Sequence, residues 1–137
     1  MTKATKPGPT GDLEGGCDCG SLRYRLTGEP YDSGYCHCRI CQRTSGAPAQ
    51  AFARYHAADF AYTKGKPKIY LSSEWGQREY CPDCGSQLLY RGREAPFDVA
   101  VNTPTLDNPE AIPPRQHVWH RSRIGWYQIG DKLPCSE

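Results

Sequence analysis

The sequence predicts a mainly β fold made of many short strands. Fourteen glycines and twelve prolines in 137 residues punctuate the chain too often for long helices. From residue 20 onward, short stretches alternate with period two or are rich in aromatic and β-branched residues. The apolar fraction is only 37%, so the core is modest and calls for additional staples.

Leu22–Leu26 alternates with period two and is expected to be the first strand. Residues 49–55 (AQAFARY) form a second, although their alanines permit a helix. Further strands are expected at 60–62, 68–71, 78–80, 87–90, 97–101 and 117–119. Turns fall at Gly65-Lys66-Pro67 and between Ser73 and Gly76. One short helix starts near Arg39, runs to Ser45 and ends at Gly46. A single helical turn is expected over 108–111, where Pro109 suits a first helical position. Residues 1–12 are polar and carry Pro7, Gly8, Pro9 and Gly11, so they read as a disordered tail. Residues 13–134 are then one domain, with 135–137 as a C-terminal tail.

Seven of the eight cysteines supply the staples. They lie in three clusters, Cys17-Asp18-Cys19, Cys36-His37-Cys38-Arg39-Ile40-Cys41 and Cys81-Pro82-Asp83-Cys84-Gly85. A secreted disulfide scaffold would also use eight cysteines. The N-terminus has no apolar run resembling a secretory signal, and no stretch is long and apolar enough to span a membrane. Pairs spaced Cys-x-Cys and Cys-x-x-Cys suit a shared metal ion better than long-range crosslinks. Reduced cysteines and a cytoplasmic setting follow as expectations.

A closed tetrahedral zinc site takes four protein ligands, and an open one takes three. Seven thiols divide into one of each. Cys81-Pro82-Asp83-Cys84-Gly85 is a zinc-knuckle turn in which Gly85 allows the positive φ that wraps backbone around sulfur. In extended backbone, residues two apart face the same way. Cys17 and Cys19 can then share an ion with Asp18 turned away. Cys36 and Cys38 can do the same with His37 opposite, at the surface or behind the ligands. Spacing permits two partitions. Cys17, Cys19, Cys81 and Cys84 can close one site and leave Cys36, Cys38 and Cys41 open. Alternatively, Cys38, Cys41, Cys81 and Cys84 close a ribbon-like site and leave Cys17, Cys19 and Cys36. The first keeps a local trio together and is preferred on that ground. Cys135 stands alone and is expected to be a free thiol.

Binding two zinc ions changes the charge balance. Seven thiolates remove seven charges and two divalent ions return four, so the formal +2 becomes −1. With no basic block, nucleic acid is not an expected partner.

The segments Gly16-Cys17-x-Cys19-Gly20, Cys36-His37-Cys38-x-x-Cys41-Gln42-Arg43-x-Ser45-Gly46 and Cys81-Pro82-x-Cys84-Gly85 resemble the glutathione-dependent formaldehyde-activating enzyme family, which includes centromere protein V. His117-Val118-Trp119, Ser122, Trp126 and Leu133-Pro134 resemble its C-terminal pattern. The resemblance runs from about Leu13 to Pro134, and this chain is a compact version of the longer formaldehyde-activating members. It implies a β-tent of small antiparallel sheets organised around zinc, with short helical turns. It implies that Cys17, Cys19, Cys81 and Cys84 hold a structural zinc and that Cys36, Cys38 and Cys41 hold a catalytic one. The implied function is that of a carbon–sulfur lyase, similar to an S-(hydroxymethyl)glutathione synthase, with glutathione as the thiol and formaldehyde as the electrophile.

A soft three-thiolate site favours one more sulfur ligand over hydroxide chemistry. His117 is the acid–base candidate through its place in the C-terminal pattern, against the alternative of a histidine packed beside Trp119. Arg39, Arg43, Arg54 and Arg91 are candidates by charge for the substrate carboxylates, with no one of them preferred. His56 and His120 are expected to be structural or exposed, and the tryptophans and tyrosines to form core and rim. Two rival functions are a zinc-stabilised interaction module and a thiol carrier without turnover.

Overall fold

In the computed structural model, residues 11–93 and 98–137 are described. Residues 1–10 of the expected tail, and Phe97 of an expected strand, lie outside them. The described residues are mainly β and form two sheets. Strands β1 (Leu13–Gly16), β2 (Arg23–Leu26) and β5 (Phe60–Lys64) form an antiparallel three-stranded sheet in the order β1-β2-β5. The seven-stranded sheet adds β3 (Asp32–Cys36), β4 (Gln50–His56), β6 (Lys68–Tyr70), β7 (Gly76–Tyr80), β8 (Gln87–Gly92), β9 (Asp98–Asn102) and β10 (His117–Val118). Its order is β10-β3-β4-β9-β8-β7-β6, antiparallel except where β10 runs parallel to β3. The single α-helix, α1, spans Arg39–Ser45, with Cys38 at its N-cap and Gly46 in a left-handed C-cap.

Strand alternation gives the large sheet two different faces. Ala53 of β4, Val101 of β9, Leu89 of β8 and Glu79 of β7 follow one another in register. The apolar members of that row, with Tyr55 and Val99, join a buried cluster that also takes in Tyr24, Leu26 and Phe60 of the small sheet. The other face carries the row Arg54, Ala100, Tyr90 and Arg78 across the same four strands. Core burial is nearly complete: Leu22, Leu26, Leu88, Leu89, Val99 and Val101 are each at most 1% exposed. Each such side chain contributes about 1.5–3 kcal/mol.

Several expectations need correction. The turn over 108–111 is not helical: the Asn108 side chain accepts from Glu110 N–H at 3.1 Å, competing with helix propagation, and Ala111 N closes one turn onto Asn108 O at 3.1 Å. The aromatic residues expected at core and rim divide by type: Trp75, Trp119 and Trp126 are exposed, while Tyr24 and Tyr55 are buried in the core. Of the two places open to His37, at the surface or behind the ligands, the first is excluded, because the residue is fully buried. The last residues are tied down: Ser136 N donates to His117 O at 2.8 Å and His120 N to Ser136 O at 2.9 Å. Among the described residues, no helix is long and apolar enough to cross a membrane.

Candidate metal centres and the cavity beside them

The chain brings its seven clustered cysteines together in two groups. The sulfurs of Cys17, Cys19, Cys81 and Cys84 lie within 4.8 Å of one another, as do those of Cys36, Cys38 and Cys41. Both groups could hold a metal ion. This is the grouping preferred from the sequence. All the cysteines are free thiols.

Two hairpin ends build the four-cysteine group. Cys17-Asp18-Cys19 forms a tight turn between β1 and β2, closed by Gly20 N donating to Cys17 O at 3.2 Å. The sulfurs converge through this turn and not through the extended backbone expected. Between β7 and β8, a β-bulge at Glu79/Tyr80 redirects the chain into the knuckle, and Gly85 adopts φ +82°. Backbone N–H groups point at the sulfurs: Leu22 N donates to Cys17 Sγ at 3.2 Å, Asp83 N and Cys84 N to Cys81 Sγ at 3.3 and 3.4 Å. Such donors favour the thiolate form. Ser86, through its hydroxyl and backbone N–H, pulls the Cys84 thiol down to about 6. Sulfurs bound tetrahedrally at about 2.3 Å stand about 3.8 Å apart. The Cys17–Cys19 and Cys19–Cys81 sulfur separations, 3.7 and 3.8 Å, fit that requirement.

The three-cysteine group is local. Cys36 ends β3, Cys38 caps α1 and accepts from Cys41 N–H at 3.3 Å, and Cys41 lies in the first turn of α1. Crowding sets the ionisation order. Hydrogen bonds from Cys36 and Cys41 hold the Cys38 thiol at about 2, and its contacts with Cys38 and Cys41 push Cys36 well up. For Cys41 the contact with Cys36 pulls down, but Cys38 and burial outweigh it and the thiol rises. Three such thiols cannot all ionise side by side without a cation, so the donor set suits a divalent soft metal.

This group opens onto a cavity of about 540 Å³, lined by Cys36, Cys38 and Cys41 among others. The seven-stranded sheet provides its floor through Phe52, Arg54, Ala100, Tyr90 and Arg78. Trp75, Trp119 and Ile40 stand at its exposed rim. Arg39, Arg54 and Arg78 line it, and among the described residues no Asp, Glu or His does. The four-cysteine group does not border it.

The predicted charge candidates separate by face. Arg39 and Arg54 border the cavity, Arg43 is exposed on the last turn of α1, and Arg91 pairs with Glu79 at 2.8 Å on the opposite face of the sheet. Arg78 was not singled out by the sequence. The sequence placed it on the expected strand over 78–80 but did not show which face of the sheet it takes. It is 7% exposed, and its two terminal nitrogens each lie 3.7 Å from Cys41 Sγ.

His117 lies behind the cavity wall. It is 2% exposed, and its neighbours Val118 and Trp119 face the cavity instead. Its Nε2 sits 3.0 Å from Asp131 Oδ1 and its Nδ1 2.8 Å from His37 Nε2. Burial opposes ionisation of Asp131, but the Leu133 N–H and His117 outweigh it and hold the carboxyl low. Asp131 therefore accepts from His117 Nε2–H. His117 Nδ1 then accepts from His37 Nε2–H, which leaves His37 Nδ1 as a buried acceptor without a partner among the described residues. Burial, first, and the neighbouring His117 and His120 lower the His37 pKa and keep the ring neutral. Gln42 closes the arrangement by donating to His37 O at 2.7 Å and Ser122 O at 3.1 Å. His56 is exposed and stacks on Tyr31.

A family model described as glutathione-dependent formaldehyde-activating enzyme matches residues 12–122. A Halomonas elongata protein provisionally named a glutathione-dependent formaldehyde-activating enzyme is 29% identical over 126 residues, covering 85% of this chain and 80% of that protein. A Schizosaccharomyces pombe protein named an uncharacterized lyase is 27% identical over 79 residues, covering 58% of this chain and 57% of that protein. A crystal structure of a Rhodobacter sphaeroides protein superposes with a TM-score of 0.60 at 22% identity, covering 75% of this chain and 93% of that one, and shares the fold.

Proposed function

Because the chain belongs to the glutathione-dependent formaldehyde-activating enzyme family, we propose that it is a zinc-dependent carbon–sulfur lyase acting on a thiol adduct such as S-hydroxymethylglutathione. The observation that carries this reading is the contrast between its two cysteine groups. Four sulfurs saturate a tetrahedral ion, while three leave a position open, and only the trio borders the 540 Å³ cavity. Zinc bound by Cys36, Cys38 and Cys41 would accept a substrate thiol as its soft fourth ligand and favour the thiolate. Cys17, Cys19, Cys81 and Cys84 hold a second, structural zinc in this reading.

The chain's own residues then bind and orient. Arg39 and Arg54 offer cationic partners to carboxylates of a thiol such as glutathione. Trp75, Trp119 and Phe52 supply apolar wall against which its chain packs. His117, enclosed between Asp131 and His37, is assigned a positioning role. It fixes the ring of His37, the residue that separates Cys36 from Cys38 in sequence, and thereby steadies the backbone that carries two of the three sulfurs.

The test follows exchange between free glutathione, formaldehyde and their adduct by nuclear magnetic resonance, with zinc-loaded and zinc-stripped protein against the uncatalysed background. Exchange above background that requires zinc supports the reading. Zinc-edge spectra unmoved by glutathione and by a panel of other thiols would favour the interaction module. Spectra moved by thiols without exchange would favour the carrier. His117→Gln should weaken metal retention at the three-cysteine site while the rate per loaded site changes little. A large fall in rate with metal retained would make His117 the acid–base group instead.

A further inference from the structure

Arg78 is a buried cation, 7% exposed, with no carboxylate partner within salt-bridge distance among the described residues. A guanidinium has five N–H donors. Two nitrogens lie against Cys41 Sγ at 3.7 Å each, and Nε donates to Ser72 Oγ at a long 3.4 Å. Two N–H groups remain with no partner among the described residues. The group is nonetheless held firmly. Its carbon sits 5.0 Å from the Tyr90 ring centroid, and Tyr90 is its cross-strand neighbour. Zinc-bound thiolates would offset its charge but leave those two N–H donors unused, and a buried guanidinium with donors to spare beside the open metal position points to an acceptor supplied by the reaction.

The other cationic side chains at the cavity have partners of their own but keep donors free, and among the described residues neither Arg39 nor Arg54 is bonded to a sulfur of the trio. Arg39 is bonded to the Gln42 side chain. Arg54 lies 3.7 Å from Asp32 and over the Phe52 ring. His117 does not reach the cavity surface.

Resting on the carbon–sulfur reading above, we propose that Arg78 is a catalytic residue that stabilises the developing alkoxide when the thiolate adds to the aldehyde. The sulfur lone pair forms the carbon–sulfur bond, and the carbonyl π pair moves onto oxygen. The guanidinium N–H groups receive that oxyanion. The proton lost by the thiol, carried by water, then returns to the oxygen, so no oxidant or reductant is involved. Cleavage of the adduct reverses each step. Because the guanidinium is fixed before reaction, it does not have to reorganise as charge develops. An aldehyde carbon bonded to a sulfur seated beside Cys41 brings its oxygen within reach of a group 3.7 Å from Cys41 Sγ.

The experiment compares wild-type, Arg78→Met and Arg78→Lys proteins, all zinc-loaded, in the same exchange measurement, with zinc content and glutathione affinity determined alongside. Arg78→Met should lower the saturated exchange rate about 100-fold, the loss typical of removing one oxyanion donor. Zinc content should stay unchanged, and glutathione affinity should stay within about threefold, since the ground state has little charge on that oxygen. Arg78→Lys, which keeps the charge but not the planar fork, should recover part of the rate. Should the methionine variant not fold, the lysine variant decides by the same comparison, with a loss of at least about fivefold expected. A methionine variant within about tenfold of wild type, a lysine variant at the wild-type rate, or loss of zinc from the three-cysteine site would overturn the assignment. In the last case Arg78 serves only to hold Cys41. If the wild-type protein itself shows no exchange, the carbon–sulfur reading fails and takes the assignment with it. If the wild type exchanges and the variants match it, Arg78 alone is wrong.

Discussion

Arg78 and Glu79 are adjacent buried charges that the strand sends to opposite faces of one sheet, with opposite degrees of satisfaction. Glu79, 3% exposed, accepts from Arg91 Nε at 2.8 Å, Gln77 Nε2 at 2.9 Å and Tyr62 Oη at 2.9 Å. Burial alone would raise its pKa, but Arg91, Gln77 and Tyr62 outweigh that and hold the carboxyl below its ordinary value. Removing such a carboxylate leaves Arg91 uncompensated. Glu79→Gln should therefore lower stability by about 3 kcal/mol in urea unfolding at neutral pH. A group with a depressed folded pKa contributes stability that is complete above its unfolded pKa, about 4.3. That contribution is lost as pH falls through the lower folded value. The difference between wild type and Glu79→Gln should then be flat from about pH 8 to about pH 5 and shrink below about pH 4. Metal release in acid affects both proteins and drops out of the difference. A gap below about 1 kcal/mol, or one that widens in acid, would show that the ion pair is not what holds this corner. The sequence offered Arg91 as a partner for substrate and passed over Arg78, because charge is legible in a sequence but the face of a sheet is not. Which face each occupies depends on the pairings of β7, β8 and β9, and these are set by residues far apart in the chain.

At the scale of elements, local signals were legible where the element is made locally. Helix α1 falls where Arg39 to Ser45, closed by Gly46, placed it. Eight strands with alternating, aromatic or β-branched residues lie within a few residues of their expected positions. In β9 this holds for the described residues from Asp98 onward. The strands that were missed, Leu13–Gly16 and Asp32–Cys36, carry glycines and polar residues that have little strand preference alone. They are strands because partners hold them: β1 pairs with β2 from Leu13 to Gly16, and β3 lies between β4 and β10. A second glycine effect concerns the site. Gly76 opens β7 beneath the Tyr90 ring, and a Cβ there would stand 2.1–2.3 Å from two ring carbons and the hydroxyl oxygen of Tyr90. Tyr90 would have to leave the place where it backs Arg78. Gly76→Ala should destabilise by about 1–3 kcal/mol as an overpacked position does. It should also reduce the adduct exchange rate more than the loss of folded protein explains. Unchanged melting and unchanged rate would mean that Tyr90 moves without consequence for either.

For the whole molecule, the two cysteine groups differ in what they connect. Cys17 and Cys19 belong to the small sheet's hairpin, and Cys81 and Cys84 to the β7–β8 hairpin of the large sheet. Contact between Cys19 and Cys81 spans 62 positions of sequence. A crosslink of that span stabilises by about 4 kcal/mol through the chain entropy it removes from the unfolded state. With a small apolar complement, that is a large share of the total stability of a domain of this size. Cys36, Cys38 and Cys41 lie within six residues, and an ion there closes almost no loop. Spacing in the sequence showed three clusters and left two partitions open, of which the one that keeps the local trio together is the grouping found. The cavity beside the trio, by contrast, is a product of topology. Metal removal should therefore act in two stages. A chelator that strips the trio should leave the far-ultraviolet circular dichroism unchanged, and loss of the second ion should coincide with loss of structure. Cys81→Ala should aggregate or melt at least about 10 °C below wild type, while Cys38→Ala should melt within about 5 °C of it. Equal collapse of the two variants would mean that both ions bind the fold together. It would remove the distinction between a stapling site and an open one on which a substrate position depends.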